Sequence, residues 1–335
     1  MNTRNFSAPL IAAAIMALAG CATAASNATS ASAPSQPEEP DITVAAIPAV
    51  DLAGLYIALD QGLFAQQGLH VTIKKIPSSA AIIADQLKGQ VDISAGAYVG
   101  YISAQAAGAR FRVLAEASIL RPDTRVLVTT ADSAITTIGE LASRRIGVNG
   151  TNSIGTLLVS ALLAEHGISP RKVHFVTDQG GFPAMPGQLR DGAWDAAFLA
   201  EPYITVAGEE YGERVLADLD QGTTFNFPID GYVATRAWAE RYPNTAAAFV
   251  RAIEAGQALA NSDAAAVQAA MARYDQLPPQ VTAAMALPGY PTGPVDETGI
   301  QRVATDMLEF GILSREYTTG VQRGTLVRSM VDAGP

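Results

Sequence analysis

Short runs of alternating apolar and polar residues are each followed by a helical pattern, beginning near residue 42. The run ITVAAI (42–47) predicts a strand, and apolar residues between 52 and 59 then recur at the spacing of one helix face, which Gly62 ends. The alternation continues through the strand LHVTI (69–73), a helix over 81–87, the strand VDISA (91–95) and a helix over 98–107. Strands that alternate with helices predict a parallel β-sheet with helical cover.

The same order of elements returns later in the chain. The segment QLRDGAWDAAFLAEPY (188–203) echoes QLKGQVDISAGAY (86–98). Asp195 follows Asp92 by 103 positions, and a glycine lies three positions before each of them. Matching order and spacing predict an internal repeat of a whole unit, and hence two α/β lobes. Both aspartates flank strand starts, which favours a structural role for them.

Two further strands are predicted to connect the lobes. RVLVTT (125–130) would carry the chain out of the first lobe, and FNFPIDGYVAT (225–235) would bring it back. The remaining chain is rich in alanine and helical in pattern, including 244–260 and 297–310. Two crossings predict a two-stranded hinge and a clamshell motion. The predicted division is lobe 1 at 41–128 and 229–335, with lobe 2 at 129–228.

The first 40 residues have a different pattern. A basic start at Arg4 and an apolar stretch over 8–18, too short to cross a membrane, predict a signal peptide over 1–20. LAGC (18–21) resembles the lipobox of bacterial lipoproteins, in which the cysteine is lipidated. Cys21 is therefore predicted to anchor the protein to a membrane of the cell envelope, on its extracytoplasmic side. Residues 21–40, rich in Ala, Ser, Pro and Glu, predict a disordered tether.

Composition narrows the function further. The 32 acidic against 22 basic residues argue against nucleic acid as a partner. With Cys21 as the single cysteine, neither internal disulfides nor a thiolate metal site is expected. The three histidines lack the H-x-x-x-H spacing of metal ligands, and neither a P-loop nor a G-x-S-x-G motif is present. The prediction is a protein without metal, cofactor or enzymatic activity.

The chain resembles the extracytoplasmic solute-binding proteins of ABC importers, within the nitrate, sulfonate, taurine and thiamine-precursor group. The resemblance rests on YIALDQGLFAQQGLHVTI (56–73), LKGQVDISAGAY (87–98), IGVNGTNSIGTLLVSALLAEHGIS (146–169) and LRDGAWDAAFLAEPYI (189–204). It implies a type II periplasmic-binding-protein-like fold, a monomer, a small-molecule solute in an interlobe cleft and an ABC permease as partner. A lipoprotein that presents ligand to a membrane sensor is an alternative. A thiamine-pyrimidine synthase shares the group's fold, but that family carries a cysteine-rich motif.

Ligands of α/β lobes lie beyond the carboxyl ends of the strands, so the loops at those ends should line the cleft. The segment NGTNS (149–153) begins a predicted helix, whose N-terminus would suit an anion or a carbonyl oxygen of a ligand. An ordinary N-cap explains the same residues equally well. Tyr98 and Phe182 are expected to stack on a ligand, Asp51 to cap a helix or accept a ligand N–H, and Glu201 chiefly to serve a helix N-terminus. The predicted ligand-binding residues are Asp51, Ser94, Gly96, Tyr98, Ser118, Asn149, Gly150, Thr151, Asn152, Ser153, Phe182, Glu201, Phe227 and Asp230.

These loops also indicate the character of the ligand. They contain Asp51, Asp178, Glu201 and Asp230 but no lysine, and the nearest arginine, Arg121, is assigned to a surface turn. Carboxylates match a bare anion poorly, because an unpaired buried charge is costly. Carboxylates beside aromatic walls suit a neutral or amine-bearing ring. The sequence therefore favours a nitrogen-containing organic solute, with a nitrate- or sulfonate-type anion as the alternative.

Overall fold

The computed structural model describes residues 35–47, 49–76, 78–177 and 180–332. Its strands are β1 (Asp41–Ala46), β2 (His70–Lys75), β3 (Ile93–Ala97), β4 (Phe111–Ile119), β5 (Arg125–Thr129), β6 (Arg145–Val148), β7 (His174–Thr177), β8 (Ala196–Ala200), β9 (Arg214–Asp218) and β10 (Pro228–Thr235). Its helices are α1 (Ala53–Asp60), α2 (Leu63–Gln66), α3 (Ser79–Leu87), α4 (Tyr98–Ala106), α5 (Ile154–Glu165), α6 (Met185–Arg190), α7 (Tyr203–Tyr211), α8 (Arg236–Arg241), α9 (Pro243–Ser262), α10 (Ala264–Tyr274), α11 (Pro279–Ala284), α12 (Glu297–Glu309), α13 (Thr318–Gln322) and α14 (Thr325–Val331).

The strands form two five-stranded sheets with the same internal order. The first sheet runs β2-β1-β3-β10-β4 and the second runs β7-β6-β8-β5-β9. In each sheet the first three strands are parallel, and the fourth is antiparallel to both of its neighbours. The predicted pair of α/β lobes is confirmed. The antiparallel strands β5 and β10 are here called the crossover strands, because each one follows the last strand of the opposite lobe in the chain.

The internal repeat extends to individual hydrogen bonds. The carboxylate of Asp92 accepts a hydrogen bond from the backbone N–H of Thr43 at 2.8 Å, and Asp195 accepts one from Arg145 at the same distance. The contacts fix the start of β3 to β1 in the first sheet and the start of β8 to β6 in the second. The structural interpretation of both aspartates is confirmed.

The first lobe boundary lies earlier than the sequence predicted. The whole of β5 pairs within the second sheet, so the chain leaves the first lobe in residues 120–124 and not after residue 128. The return crossing occupies residues 219–227, between β9 of the second sheet and β10 of the first. A β-pattern predicts a strand, but the sheet in which it pairs is decided by tertiary contacts.

The carboxyl-terminal helices pack mainly on the first lobe. Helices α9 and α10 cover α1, and α9 approaches α1 so closely that a Cβ on Gly256 would lie 2.3 Å from the carbonyl oxygen of Gly54. Glycine is required at such a contact, because any side chain would separate the two backbones. A second apolar cluster joins α4 and α12 to the second sheet and to α5, and it includes Tyr101, Phe111, Leu157 and Phe198.

The end of the predicted tether is ordered in this structure. The carboxylate of Glu38 accepts hydrogen bonds from the backbone N–H groups of Asn244 at 3.0 Å and Thr245 at 2.9 Å, at the first turn of α9. A carboxylate is favoured there because the first backbone N–H groups of a helix have no partner within it. The predicted signal peptide and Cys21 lie outside the described residues. Within the described ranges, no helix is long and apolar enough to cross a membrane.

Candidate ligand-binding cleft

A cavity lies where the two lobes meet, at the carboxyl ends of strands from both sheets. It leaves about 30 Å³ in which the centre of a water molecule fits. The first lobe, the second lobe and both crossover strands contribute to its wall. The lining residues are Ile47, Ala49, Asp51, Leu52, Ser79, Gly96, Ala97, Arg125, Asn149, Ile154, Phe182, Ile229 and Asp230.

An ion pair joins the two lobes at the floor of this cavity. Nη2 of Arg125, the first residue of β5, lies 2.6 Å from Oδ2 of Asp51, which follows β1. Both side chains are at most 5% exposed. Nη1 of Arg125 donates to the carbonyl of Thr124 at 2.8 Å, whereas its Nε–H has no partner among the described residues. Burial lowers the pKa of Arg125, but the charges of Asp51 and Asp230 outweigh it and raise that pKa.

A second carboxylate lies beside this pair. The hydroxyl of Ser118, on β4, is 2.8 Å from Oδ1 of Asp51 and 3.3 Å from Oδ2 of Asp230, on β10. Burial and the charge of Asp51 raise the pKa of Asp230 to about 7. The four residues form a charged cluster, Asp51, Ser118, Arg125 and Asp230, that is closed by elements of both lobes.

Five of the predicted ligand-binding residues line the cavity, and a sixth supports two of them. The five are Asp51, Gly96, Asn149, Phe182 and Asp230. Ser118 is fully buried behind the wall and holds the two carboxylates. The ring of Phe182 also stacks on Tyr203 of α7, with centroids 6.3 Å apart. Asp178 lies outside the described residues.

The segment NGTNS contributes to the site mainly through its first residue. Asn149 lines the cavity, and the side chain of Ser153 caps α5 by accepting from the backbone N–H of Thr156 at 3.4 Å. The Ser153 hydroxyl also lies 2.7 Å from Oδ1 of Asn149 and from the carbonyl of Gly150, which fixes the loop. Thr151 and Asn152 are exposed to solvent and do not belong to the cavity wall.

Two predicted residues are buried inside the first lobe instead. The ring of Tyr98 lies directly under β10, since a Cβ on Gly231 would be 2.6 Å from it. The hydroxyl of Ser94 bonds to Gln86 at 2.7 Å and to Tyr101 at 2.8 Å. Both side chains therefore pack behind the wall, and the expected stacking of Tyr98 on a ligand is not supported by its position.

Two other predicted residues, Phe227 and Glu201, contact segments outside the cavity wall. Phe227 is fully buried in the return crossing, and the guanidinium of Arg302 lies over its ring at 5.3 Å. Glu201 accepts from the backbone N–H of Thr205 in α7 at 3.2 Å and from Ala286, which follows α11, at 3.1 Å. The expected role of Glu201 at a helix N-terminus is thus observed, with an additional contact to the carboxyl-terminal region.

The sequence interpretation missed Arg125 and assigned the nearest arginine to Arg121, which contacts Asn226 outside the cavity wall. A charged residue at the head of the apolar run RVLVTT was the available signal, because such a residue enters a sheet only with a partner. Within the described ranges, no group of three or more His, Cys, Asp or Glu side chains could hold a metal ion.

Two lobes of one strand order, joined by two crossings around a cleft, define the fold of the periplasmic binding proteins. The chain belongs to the NMT1/THI5-like family, whose sequence pattern matches residues 49–265. The matched region extends from the loop after β1 into α10 and includes every described lining residue except Ile47. Among curated proteins, none matches the sequence significantly.

Solved structures share this fold over most of their length. The alkanesulfonate-binding protein of Xanthomonas axonopodis pv. citri, bound to MOPS, is 18% identical with a TM-score of 0.70, covering 84% of this chain and 96% of its own. The periplasmic aliphatic sulphonate binding protein of Escherichia coli is 20% identical with a TM-score of 0.71, covering 88% of this chain and 93% of its own. The periplasmic nitrate-binding protein of Synechocystis is 14% identical with a TM-score of 0.71, covering 88% of this chain and 89% of its own. At these identities the likeness establishes the fold.

Proposed function

We propose that this chain is a solute-binding protein that captures a small organic solute between its lobes and delivers it to an ABC importer permease. The observation that carries the proposal is the cavity itself, because both lobes and both crossover strands supply its wall. The sulfonate- and nitrate-binding proteins of the same fold support a transport role over catalysis. The side chains described in the cavity wall include no His, Cys or Lys, and Asp51 is already paired with Arg125.

The wall chemistry favours a nitrogen-containing organic solute. Ile47, Leu52, Ile154, Phe182 and Ile229 supply apolar surface, which suits an organic body more than an inorganic ion. The similar proteins that bind alkanesulfonates and nitrate make an anion the second candidate. An anion would have to compete with Asp51 for Arg125, since the two side chains already form a 2.6 Å ion pair.

A thermal-shift screen tests this function, because a ligand that binds only the folded state raises the melting temperature. The panel comprises nitrate, taurine, alkanesulfonates, aminopyrimidines and flavins. We expect an aminopyrimidine or flavin to raise Tm and the Phe182→Ala variant to lose that shift. Phe225→Ala is the matched control, since that ring is 56% exposed and outside the cavity wall. A shift from an alkanesulfonate or nitrate alone would reverse the choice of solute, and an equal loss in both variants would place binding elsewhere.

We further propose that Cys21 carries a lipid that holds the mature protein, as a monomer, on the outer side of a membrane. The lipobox-like LAGC sequence supports this proposal. Mass spectrometry of the mature amino terminus should find a cleaved chain that begins with a modified Cys21. Cys21→Ser should release soluble protein, and an uncleaved chain that begins with unmodified Met1 in the membrane fraction would contradict the proposal.

A further inference from the structure

Both carboxylate oxygens of Asp51 accept hydrogen bonds within the charged cluster. Its Oδ2 receives Nη2 of Arg125 at 2.6 Å, and its Oδ1 receives the hydroxyl of Ser118 at 2.8 Å. A charge-assisted contact of this length is among the strong hydrogen bonds of proteins. Asp51 is therefore a structural acceptor that fixes Arg125, and its charge is already balanced by that arginine.

The carboxyl of Asp230 has fewer hydrogen-bond donors than that of Asp51. Among the described residues its carboxyl contacts the hydroxyl of Ser118 at 3.3 Å and the carboxylate of Asp51, and the single hydroxyl proton of Ser118 lies closer to Asp51. The ionised form of Asp230 therefore has no donor of its own in this part of the structure. The Asp230 side chain lines the cavity, although the residue is only 7% exposed. A buried carboxylate with unused acceptor capacity facing a cavity requires a donor.

The charges of the cluster favour a cationic donor. Arg125 and Asp51 cancel each other, which leaves the carboxyl of Asp230 as the remaining charge on the described cavity wall. A bound anion would face this carboxylate at short range, whereas a protonated nitrogen would neutralise it. The Nε–H of Arg125, which has no partner among the described residues, and the side chains of Ser79 and Asn149 are donors that would suit an anion.

We propose that the solute carries a protonated amine, or an equivalent cationic N–H group, which donates to Asp230 while its apolar body lies against Ile47, Ile154 and Phe182. This inference rests on the proposed solute-binding function and specifies the chemical class of the solute. Arg125 is the positioning residue of the site, because it pairs with Asp51 and leaves Asp230 as the carboxylate without a hydrogen-bonded cation.

Binding of such a group is coupled to a proton. The titratable and charged groups around Asp230 are Asp51, Arg125 and the hydroxyls of Tyr98, Tyr101 and Tyr232. The neutral hydroxyl of Ser118 also contacts Asp230. Burial and the charge of Asp51 raise the pKa of Asp230 to about 7, so part of the population is protonated at neutral pH. A cation binds the ionised form, and its binding therefore releases a proton and strengthens as the pH rises through 7.

A shape-matched panel tests the inference without knowledge of the natural solute. The probes are primary amines, alcohols and carboxylates built on the same isobutyl, cyclohexylmethyl and benzyl bodies, and ligand-observed NMR measures their dissociation constants. We expect the amines to bind the wild-type protein at least tenfold more tightly than the matched alcohols and carboxylates. Asp230→Asn should remove this preference, so that amines and alcohols with the same body bind with similar affinity. Asp306→Asn, at another partly buried carboxyl outside the cavity wall, is the matched control.

Asp230→Asn is expected to fold, because it removes a carboxyl that Asp51 repels, and circular dichroism verifies this. A preference for carboxylates, or an amine preference that persists in Asp230→Asn, would overturn the inference while the solute-binding function stands. If nothing in this panel or in the thermal-shift panel binds the wild-type protein, the proposed function itself fails. Proton release measured calorimetrically in buffers of different ionisation enthalpy gives an independent readout, and its absence at pH 7 would also overturn the inference.

Discussion

Arg125 and Asp230 occupy equivalent positions in the two crossover strands. Arg125 pairs with Ala200 in the second sheet, and Asp230 pairs with Ala97 in the first. The two alanines are 103 positions apart, which is the spacing of the internal repeat. The pseudo-symmetry of the lobes thus brings an arginine and an aspartate to the same cavity floor, where each offsets part of the desolvation cost of the other.

Removal of Arg125 should be strongly destabilising. In Arg125→Ala, two buried carboxyls lose their cation, and breaking a buried pair in this way costs about 3–5 kcal/mol of unfolding free energy. Urea denaturation at pH 8 measures the loss, which should be smaller at pH 5, where Asp230 is largely protonated. Lys74→Ala is the control, because Lys74 pairs with Asp85 at 2.9 Å near the surface and should contribute under about 1 kcal/mol. Equal effects of the two substitutions would refute the structural role of Arg125.

The carboxyl of Asp230 should impose its own pH dependence on stability. Its pKa is about 7 in the folded protein, against about 3.9 for an unfolded aspartate. The folded state binds the proton more tightly, so this contribution to stability is complete below pH of about 4 and is lost as the pH rises through 7. Asp230→Asn should therefore gain stability relative to the wild type between pH 5 and pH 8 in urea titrations.

Asp306→Asn provides the comparison for that titration. Burial and the charge of Glu309 raise the pKa of Asp306 to about 6, so the corresponding gain should level off near pH 6. A difference between Asp230→Asn and the wild type that is flat from pH 5 to pH 8 would show that Asp230 is ionised throughout this range. The proposed proton coupling of ligand binding would then lose its basis.

The repeat could be predicted from sequence because it rests on local signals. Asp92 and Asp195 each precede a strand and follow a glycine turn, and each accepts a backbone N–H from a strand of the same unit. The crossover could not be predicted in the same way, because the pattern of β5 is that of any buried strand. Only the pairing of β5 with β8 and β9 places Arg125 at the cavity, and that pairing is a long-range contact.

Burial explains why part of the predicted site lies away from the cavity wall. Residues near the carboxyl end of a strand are predicted as a group to line the cleft, but only the last of them reach it. Gly96 and Ala97, at the end of β3, are in the cavity wall, whereas Ser94 lies two residues deeper on the same face as Gly96 and is fully buried. Tyr98 belongs to α4 and is fully buried beneath β10. Because both faces of these sheets are covered, the apolar pattern does not show where along a strand the cleft begins.

The close contact between α1 and α9 predicts opposite effects for two glycine substitutions. In Gly256→Ala the new Cβ would lie 2.3 Å from the carbonyl oxygen of Gly54, so the helices must separate. We expect a loss of about 1–3 kcal/mol of unfolding free energy, the usual range for overpacking. Gly208→Ala in α7 is the control, since its Cβ would have no neighbour nearer than 4.0 Å, and alanine favours a helix interior by about 0.5–1 kcal/mol. Urea denaturation of both variants checks the prediction, and destabilisation by both would contradict the specific contact.

The size of the cavity predicts that the lobes open to admit a solute. The cavity leaves about 30 Å³ for the centre of a water molecule, whereas pockets for organic ligands measure about 300–1,000 Å³. The crossings over 120–124 and 219–227 are the covalent links between the lobes and provide the hinge for this motion. Small-angle scattering should therefore give a smaller radius of gyration with the strongest solute of the thermal-shift panel than without it.

Spin labels can assign that change to the lobes. Leu87 in the first lobe and Val215 in the second are about half exposed, so cysteines at these positions in a Cys21→Ser background should accept labels without disturbing the core. Electron–electron distances between them should be broadly distributed without solute and shorter and narrower with it. A second pair, Leu87 and Leu259, lies within the first lobe and should not respond. Unchanged distances for the first pair under saturating solute would contradict closure, because an interlobe cavity of this size cannot accept an organic solute while the lobes stay fixed.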